Sequence, residues 1–362
     1  MKKIYFTVTN DLTYDQRMQR ICHSLASNGF EIILVGRQLI NSLPFENKSF
    51  KQHRLKCISN KGFLFYIEYN VRLFVYLLNQ KMDGVCSIDL DTILPCLVIS
   101  KLKKIKRVYD AHEFFTEMKE VRTRAFVRNA WLMVEKIAVP KFNYGYTVSE
   151  GLASLFAEKY DRKYHVIRNI PFLHPLTYTA GTEMYIFYGG AVNEAQGFEY
   201  LLPAMQYINC RLVIAGEGNF YEKAKHLVKE FHVQDKVEFK GMVKPIELRS
   251  LAEKATLGIS LVEKEGMSQY YSLPNKLFDY IHAALPQITM NYPEYAHINE
   301  QYKVAVLIDD LNPATIAEII NSTLENELLL EELKQNCIKA REELNWQKEE
   351  QKLISFYKNI FD

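Results

Sequence analysis

The run Tyr188-Gly189-Gly190-Ala191-Val192-Asn193-Glu194-Ala195-Gln196-Gly197 follows an apolar, strand-like stretch and leads into a helix-like one. Paired glycines at a strand end let the backbone approach a ligand closely. The helix after them turns free N–H groups and its positive end toward an anion. Gly216-Glu217-Gly218 is a lone G-x-G, with Tyr221 where a third glycine would complete a dinucleotide fingerprint. An NAD-type oxidoreductase is therefore not expected. In Ser272-Leu273-Pro274-Asn275-Lys276-Leu277-Phe278-Asp279, Ser272 is placed to cap a helix near whose start Pro274 fits. Lys276 and Asp279 then share one helix face in its first turns. A lysine beside a helix N-terminus suits a diphosphate, and a carboxylate one turn deeper can accept both hydroxyls of a ribose. A surface Lys–Asp pair is the ordinary alternative.

The first half offers Asp110-Ala111-His112-Glu113 after a strand end, and Asp11 and Asp15 after the first strand, where helix capping is the rival role. Asp89-Leu90-Asp91 is formally D-x-D, but it opens a helix, so capping is expected. The nine histidines lie at no metal-ligand spacing and the six cysteines form no C-x-x-C. No metal requirement, zinc ribbon or disulfide scaffold is expected, and the thiols read as reduced, cytosolic and mostly buried.

The elements that must hold these residues alternate strand and helix. Lys3–Thr9, Glu31–Val35, Gly84–Ile88 and Arg107–Tyr109 read as strands; 15–28, 91–102 and 117–138 read as helices. Asn169–Glu183, with two prolines and several threonines, reads as a linker. Alternation restarts with strands at 184–188, 211–215, 236–239, 257–261 and 287–290. Helices are read at 199–205, 221–231, 245–254 and 274–284, and helical structure over Val304–Asp362. This pattern predicts an α/β protein of two tandem Rossmann-like doubly wound domains with an interdomain cleft. The expected division is 1–174, 175–345, and a last helix, 346–362, crossing back to the first domain.

Of 362 residues, 48% are apolar and 24% charged, which is ordinary for a globular protein and excludes intrinsic disorder. No apolar run is long enough to cross a membrane, and the start turns polar at Asn10-Asp11, too soon for a signal peptide. The net charge of +2 hides a split: residues 1–175 carry 27 Lys and Arg against 16 Asp and Glu, and the remainder 18 against 27. A basic first half points to an anionic partner, a membrane surface or a phosphate-bearing substrate. Nucleic acid is not expected, because no binding module for it is recognisable.

Taken in order, YGGAVNEAQGFEYLLPAM, RLVIAGEGNF, KVEFKGMV and SLPNKLFDYIHAALPQI resemble the donor-binding domain of GT-B glycosyltransferases, especially the retaining family 4 group. Asn10-Asp11, Tyr14-Asp15-Gln16-Arg17, Asp110-Ala111-His112-Glu113 and Val148-Ser149-Glu150 resemble the acceptor-side domain of a bacterial subset of these enzymes. The resemblance implies transfer of a hexose-type sugar from a nucleotide-diphosphate sugar, without cofactor or metal, onto a glycan or lipid-diphosphate-linked acceptor in surface polysaccharide synthesis. It implies a cytoplasmic protein; the basic runs Lys101–Arg107 and Arg122–Trp131, with the aromatic run Phe63–Tyr76, read as a surface for anionic lipid headgroups at the inner membrane face, with ordinary solvated helix faces as the alternative.

Carried over by residue, the second acid of the family's Glu-x7-Glu motif falls on Asp279, on the ribose hydroxyls, and the first falls on Tyr271. Glu263 or Glu265 is the candidate replacement for that first acid, with backbone groups as the alternative. The diphosphate-binding Arg–Lys pair maps near Ala191 and Gln196, so both charges are missing. Lys276 is the candidate to restore one, with Arg17 reaching from the first domain as a second. Gly189, Gly190, Gly216, Glu217 and Asn275 complete the donor side. His112, with Glu113, is implied to face the reacting sugar, and Asp11 and Asp15 the acceptor. A weak or inactive homologue that acts as a sugar-nucleotide-binding or scaffold subunit is the alternative, since losing one diphosphate donor alone costs about 2.7–4 kcal/mol. A sugar-nucleotide epimerase is a third reading.

Overall fold

A computed structural model describes residues 1–13, 15–177 and 184–362 of the chain. Tyr14 of the Tyr14–Arg17 motif and 178–183 of the expected linker lie outside the described residues. Contacts divide the chain into two units, Met1–Asn169 with Glu349–Asp362, and Ile170–Lys348.

In the first unit, β1 (Lys2–Asp11), α1 (Gln16–Ser27), β2 (Phe30–Gln38), β3 (Lys51–Lys56), α2 (Gly62–Leu78), β4 (Gly84–Ile88) and α3 (Ile93–Lys103) are followed by β5 (Lys106–Ala111), α4 (Lys119–Arg122), α5 (Ala125–Ala138), β6 (Tyr144–Thr147), α6 (Glu150–Tyr160) and β7 (His165–Val166). Their order in the sheet is β3-β2-β1-β4-β5-β6-β7, all parallel. The middle of β1, Ile4–Val8, is buried without alternation, as a parallel strand covered on both faces must be. In α1, Met18, Ile21, Cys22 and Leu25 supply the buried face at helical spacing.

In the second unit, β8 (Tyr185–Gly189), α7 (Phe198–Ala204), β9 (Arg211–Ala215), α8 (Tyr221–Glu230), β10 (Val237–Gly241), α9 (Pro245–Lys254) and β11 (Leu257–Ser260) are followed by α10 (Met267–Tyr270), α11 (Asn275–His282), β12 (Gln287–Met290), α12 (Pro293–Tyr302), β13 (Ala305–Ile308), α13 (Pro313–Glu325) and α14 (Glu327–Glu343). The sheet order is β10-β9-β8-β11-β12-β13, again parallel. α15 (Trp346–Phe361) follows, and from Glu349 onward it belongs to the first unit. Both sheets are doubly wound. Strand order reverses beside β1 and beside β8, and ligands bind beyond the carboxyl ends of strands at such points.

Several local expectations are corrected. The helix read over 117–138 is broken between α4 and α5, where the Thr123 hydroxyl donates back to the Lys119 carbonyl (3.0 Å) and Arg124 leaves helical geometry. The expected helix from 91 begins as a 3₁₀ turn, Leu90–Thr92. The stretch from Val304 is not helical throughout: Ala305–Ile308 pairs with β12 along its whole length. The edge strand β3 escaped notice because KQHRLK lacks an apolar alternation. The described part of the expected linker is not loose, since Ile170 is fully buried in the second core and the Pro171 carbonyl accepts from the Trp346 N–H at 2.9 Å. All six cysteines are free, five of them buried. Among the described residues no helix is long and apolar enough to cross a membrane.

Candidate functional site

In the second unit, β8 delivers Gly189 and Gly190 to the sheet's carboxyl end, and β9 delivers Gly216 beside them. The Gly190 N–H donates to the Ala215 carbonyl at 2.9 Å. A Cβ on Gly216 would lie 1.9 Å from the Gly190 carbonyl oxygen, and its φ is +142°. Only glycine permits that approach. The Tyr280 hydroxyl, from α11, accepts from the Gly189 N–H at 3.0 Å and fixes the strand end.

Against this glycine pair lies Lys276, in the first turn of α11, only 8% exposed. Its Cγ and Cδ would stand 3.6 Å from a Cβ on Gly190. Nζ donates to Tyr188 Oη at 2.8 Å and to Gln196 Oε1 at 2.6 Å, and sits 4.1 Å over the Tyr188 ring. Two of three ammonium hydrogens are thus used, and one remains for a ligand. Burial pushes the Lys276 amine down to about 7, with the Asp279 charge pulling the other way. A buried cation with neutral partners is the electrostatic counterpart of a missing anion.

The other predicted residues lie on the same helix or on nearby loops. Asp279 and Asn275 are exposed on α11; Tyr271 ends α10, and Glu265, partly buried, precedes it. Glu217 is exposed, with its carbonyl accepting from the Val192 N–H at 3.1 Å. Ser272 does not cap α11. Its hydroxyl donates to the Gln269 carbonyl (2.9 Å), because the turn closing α10 competes for it, and the N-cap is Pro274. Tyr188 and Gln196, which set the lysine's position, were not singled out as binding groups. The signal available was that Gln196 stands where the resemblance puts a cation.

The first unit holds a separate polar cluster at the carboxyl ends of β4 and β5. Arg17, 5% exposed, pairs with the fully buried Asp110 at 2.9 Å, and its Nε donates to His112 Nε2 at 2.7 Å. That contact needs a lone pair on Nε2, so the ring in place is the neutral, Nδ1-protonated imidazole. Asp110 Oδ2 lies 3.2 Å from Nε2 but off the hydrogen-bond direction, and Asp89 Oδ2 stands 3.7 Å from Nδ1. Burial pulls His112 down, yet Asp110 and then Asp89 lift it further, and the net displacement is upward. Burial pushes Asp110 up, but Arg17 and His112 together hold it below the usual carboxylate range. Burial raises Asp89.

Asp89 is not a cap. Its carboxylate accepts from the His112 N–H at 2.8 Å, and its φ of +50° is a strained value for a residue with a Cβ. Asp91 does not cap either; it accepts from the Thr9 hydroxyl at 2.7 Å, and burial raises it to about 7. The chain turns sharply after β4 to place Asp89 beneath the histidine, which a capping pattern cannot reveal. Asp11 accepts from the N–H (2.8 Å) and hydroxyl (2.7 Å) of Thr13 and from the Ser42 hydroxyl, and Arg54 lies 3.6 Å away, so it ties the loop after β1. Asp15 caps α1, accepting from the Met18 N–H at 3.0 Å. Glu113 is exposed. Among the described residues no group of three or more His, Cys, Asp or Glu is arranged to hold a metal ion.

Residues 177–343 match the family model described as glycosyl transferases group 1. The match lies within the second unit and covers less than half of the chain. The whole chain has the GT-B fold: it covers 100% of itself and 99% of a sucrose-phosphate synthase from Thermosynechococcus elongatus, with a TM-score of 0.85 at 15% identity. A structure of TarM from S. aureus, in complex with UDP among other molecules, matches over 100% of both chains with a TM-score of 0.74 and 12% identity. Anabaena HepE in complex with UDP and glucose matches over 99% of this chain and 100% of that one, with a TM-score of 0.76 and 10% identity. No curated protein sequence matches this chain. The glycine pair, Lys276 and Asp279 all lie within the matched residues, whereas the His112 cluster lies outside them.

Proposed function

We propose that this protein is a glycosyltransferase that moves a hexose-type sugar, with retention of configuration and without a metal, from a nucleoside-diphosphate sugar to a glycan or lipid-diphosphate-linked acceptor in surface polysaccharide synthesis. The observation that carries the reading is the buried Lys276 amine beneath the Gly190–Gly216 approach. A diphosphate seated there accepts the remaining ammonium hydrogen, and it can take over the bonds now made to Tyr188 and Gln196. As the bond to the sugar breaks, negative charge grows on the diphosphate, and a preorganised cation stabilises that charge. Asp279 serves the ribose hydroxyls. His112, held by Arg17 and Asp89, is assigned to the sugar or acceptor. The protein works at the cytoplasmic face of a membrane.

The missing second cation favours one alternative. Arg17 carries a charge already compensated by Asp110 at 2.9 Å, so it is a poor substitute for the absent pair. A binding subunit without turnover would follow from that deficit. A melting-shift panel of UDP, GDP, ADP and CMP and their sugars, followed by an assay for nucleoside diphosphate release, separates the readings. Saturation at 100 times Kd adds about 2.7 kcal/mol of stability. Binding with release supports the transferase, binding without release the subunit, and the absence of any shift removes both.

A further inference from the structure

α2 is apolar on both sides. Phe65, Tyr69, Leu73 and Leu77 enter the core of the first unit, while Leu64, Ile67, Val71, Val75 and Leu78 repeat along the opposite side at 45–69% exposure. A helix that is apolar all round is ordinarily covered all round. α3 packs on α2, and α5 on α3. Trp131 of α5 meets Tyr66 of α2 edge-on at 5.3 Å, so the three helices make one surface. α3 and α5 continue the exposed apolar character at Val98 (44%) and Met133 (65%).

The charge around this surface has one sign. Residues 61–81, 93–107 and 119–141 together hold 14 Lys and Arg against three Glu. Of these three, Glu68 is bound by Arg72 at 2.8 Å and Glu135 is buried with Lys159 at 2.9 Å. Lys101 and Lys136 are exposed beside Val98 and Met133. A second copy docking face to face would bring two basic rims together, so self-association is electrostatically disfavoured.

We infer that the α2–α3–α5 face lies flat on an anionic lipid bilayer, with its apolar side chains in the headgroup–acyl boundary and its lysines and arginines on lipid phosphates. This deepens the membrane part of the proposed function and rests on it, but does not depend on sugar transfer. The test is co-sedimentation of the full chain with vesicles of phosphatidylglycerol and phosphatidylcholine, and with phosphatidylcholine alone. Binding to the anionic vesicles should exceed binding to neutral ones and weaken with salt. Lys101→Ala with Lys136→Ala should weaken partitioning about 25-fold, at about five-fold per charge. Ile67→Asp with Val71→Asp should weaken it at least ten-fold, while Ile246→Asp, on exposed α9 of the second unit, should change nothing. Nucleotide-dependent melting shifts should be equal in all these variants, which separates failure of this surface from failure of the donor site. Equal binding to neutral and anionic vesicles, no binding at low salt, or a dimer in solution that Ile67→Asp dissociates would each overturn the inference.

Discussion

If Lys276 is the diphosphate-binding cation, donor binding must take up a proton. The amine lies near 7 in the free protein, where it is half charged at neutral pH. Its fall from the ordinary 10.5 corresponds to roughly 5 kcal/mol of disfavoured charge. A bound diphosphate supplies the negative charge that reverses this, so the complex holds the ammonium well above pH 9. Uptake should then be about 0.5 proton at pH 7 and about 0.9 at pH 8, and affinity should fall about 50-fold between pH 7 and 9. Calorimetric titration with a nucleotide sugar, whose diphosphate has no group titrating in this range, measures the uptake. The slope of observed enthalpy against buffer ionisation enthalpy is the number of protons. Lys276→Met should bring that slope to zero and flatten the affinity profile. The same group shapes stability in the free protein. Its folded value lies below its unfolded one, so between pH 7 and about 10 the unfolded chain binds a proton that the folded chain does not. Stability from this source therefore rises with pH across that window, and Lys276→Met should lose the rise. A slope of zero in the wild type, or one unchanged in Lys276→Met, would refute the assignment.

Gly216→Ala should abolish nucleotide-dependent melting shifts and lower the midpoint, because its Cβ meets the Gly190 carbonyl oxygen at 1.9 Å; Gly190→Ala, with contacts no closer than 3.6 Å, should lose only about 1–2 kcal/mol of stability from its φ of +135°. His112→Ala should lower turnover far more than donor affinity, and equal turnover would remove it from the reaction. Asp110→Ala leaves the buried Arg17 without its carboxylate and should cost about 3–5 kcal/mol in urea unfolding; a change under about 1 kcal/mol would show that the pair is not held as described.

The two doubly wound units were legible because period is a local property. Parallel strands buried on both faces read as unbroken apolar runs, as Ile32–Val35 and Leu212–Ala215 do, and amphipathic helices such as α1 repeat at their own spacing. The residues proposed for the donor side stand out in the sequence for a similar reason, since glycines at a strand end and a lysine in a first helical turn are short-range patterns. Tertiary structure alone decided the charges. That the Lys276 ammonium is buried against Tyr188 and Gln196 depends on how α11 packs over β8, between residues 88 and 80 positions apart in the chain. That Arg17 answers Asp110 rather than a distant phosphate, and that Asp89 supports a histidine rather than a helix, depends on three chain segments meeting at the carboxyl end of the sheet. Residue type and spacing specify which groups can ionise or donate. Only the assembled fold sets their desolvation and their partners, and those two quantities determine whether a charge stands ready for a ligand or is already compensated.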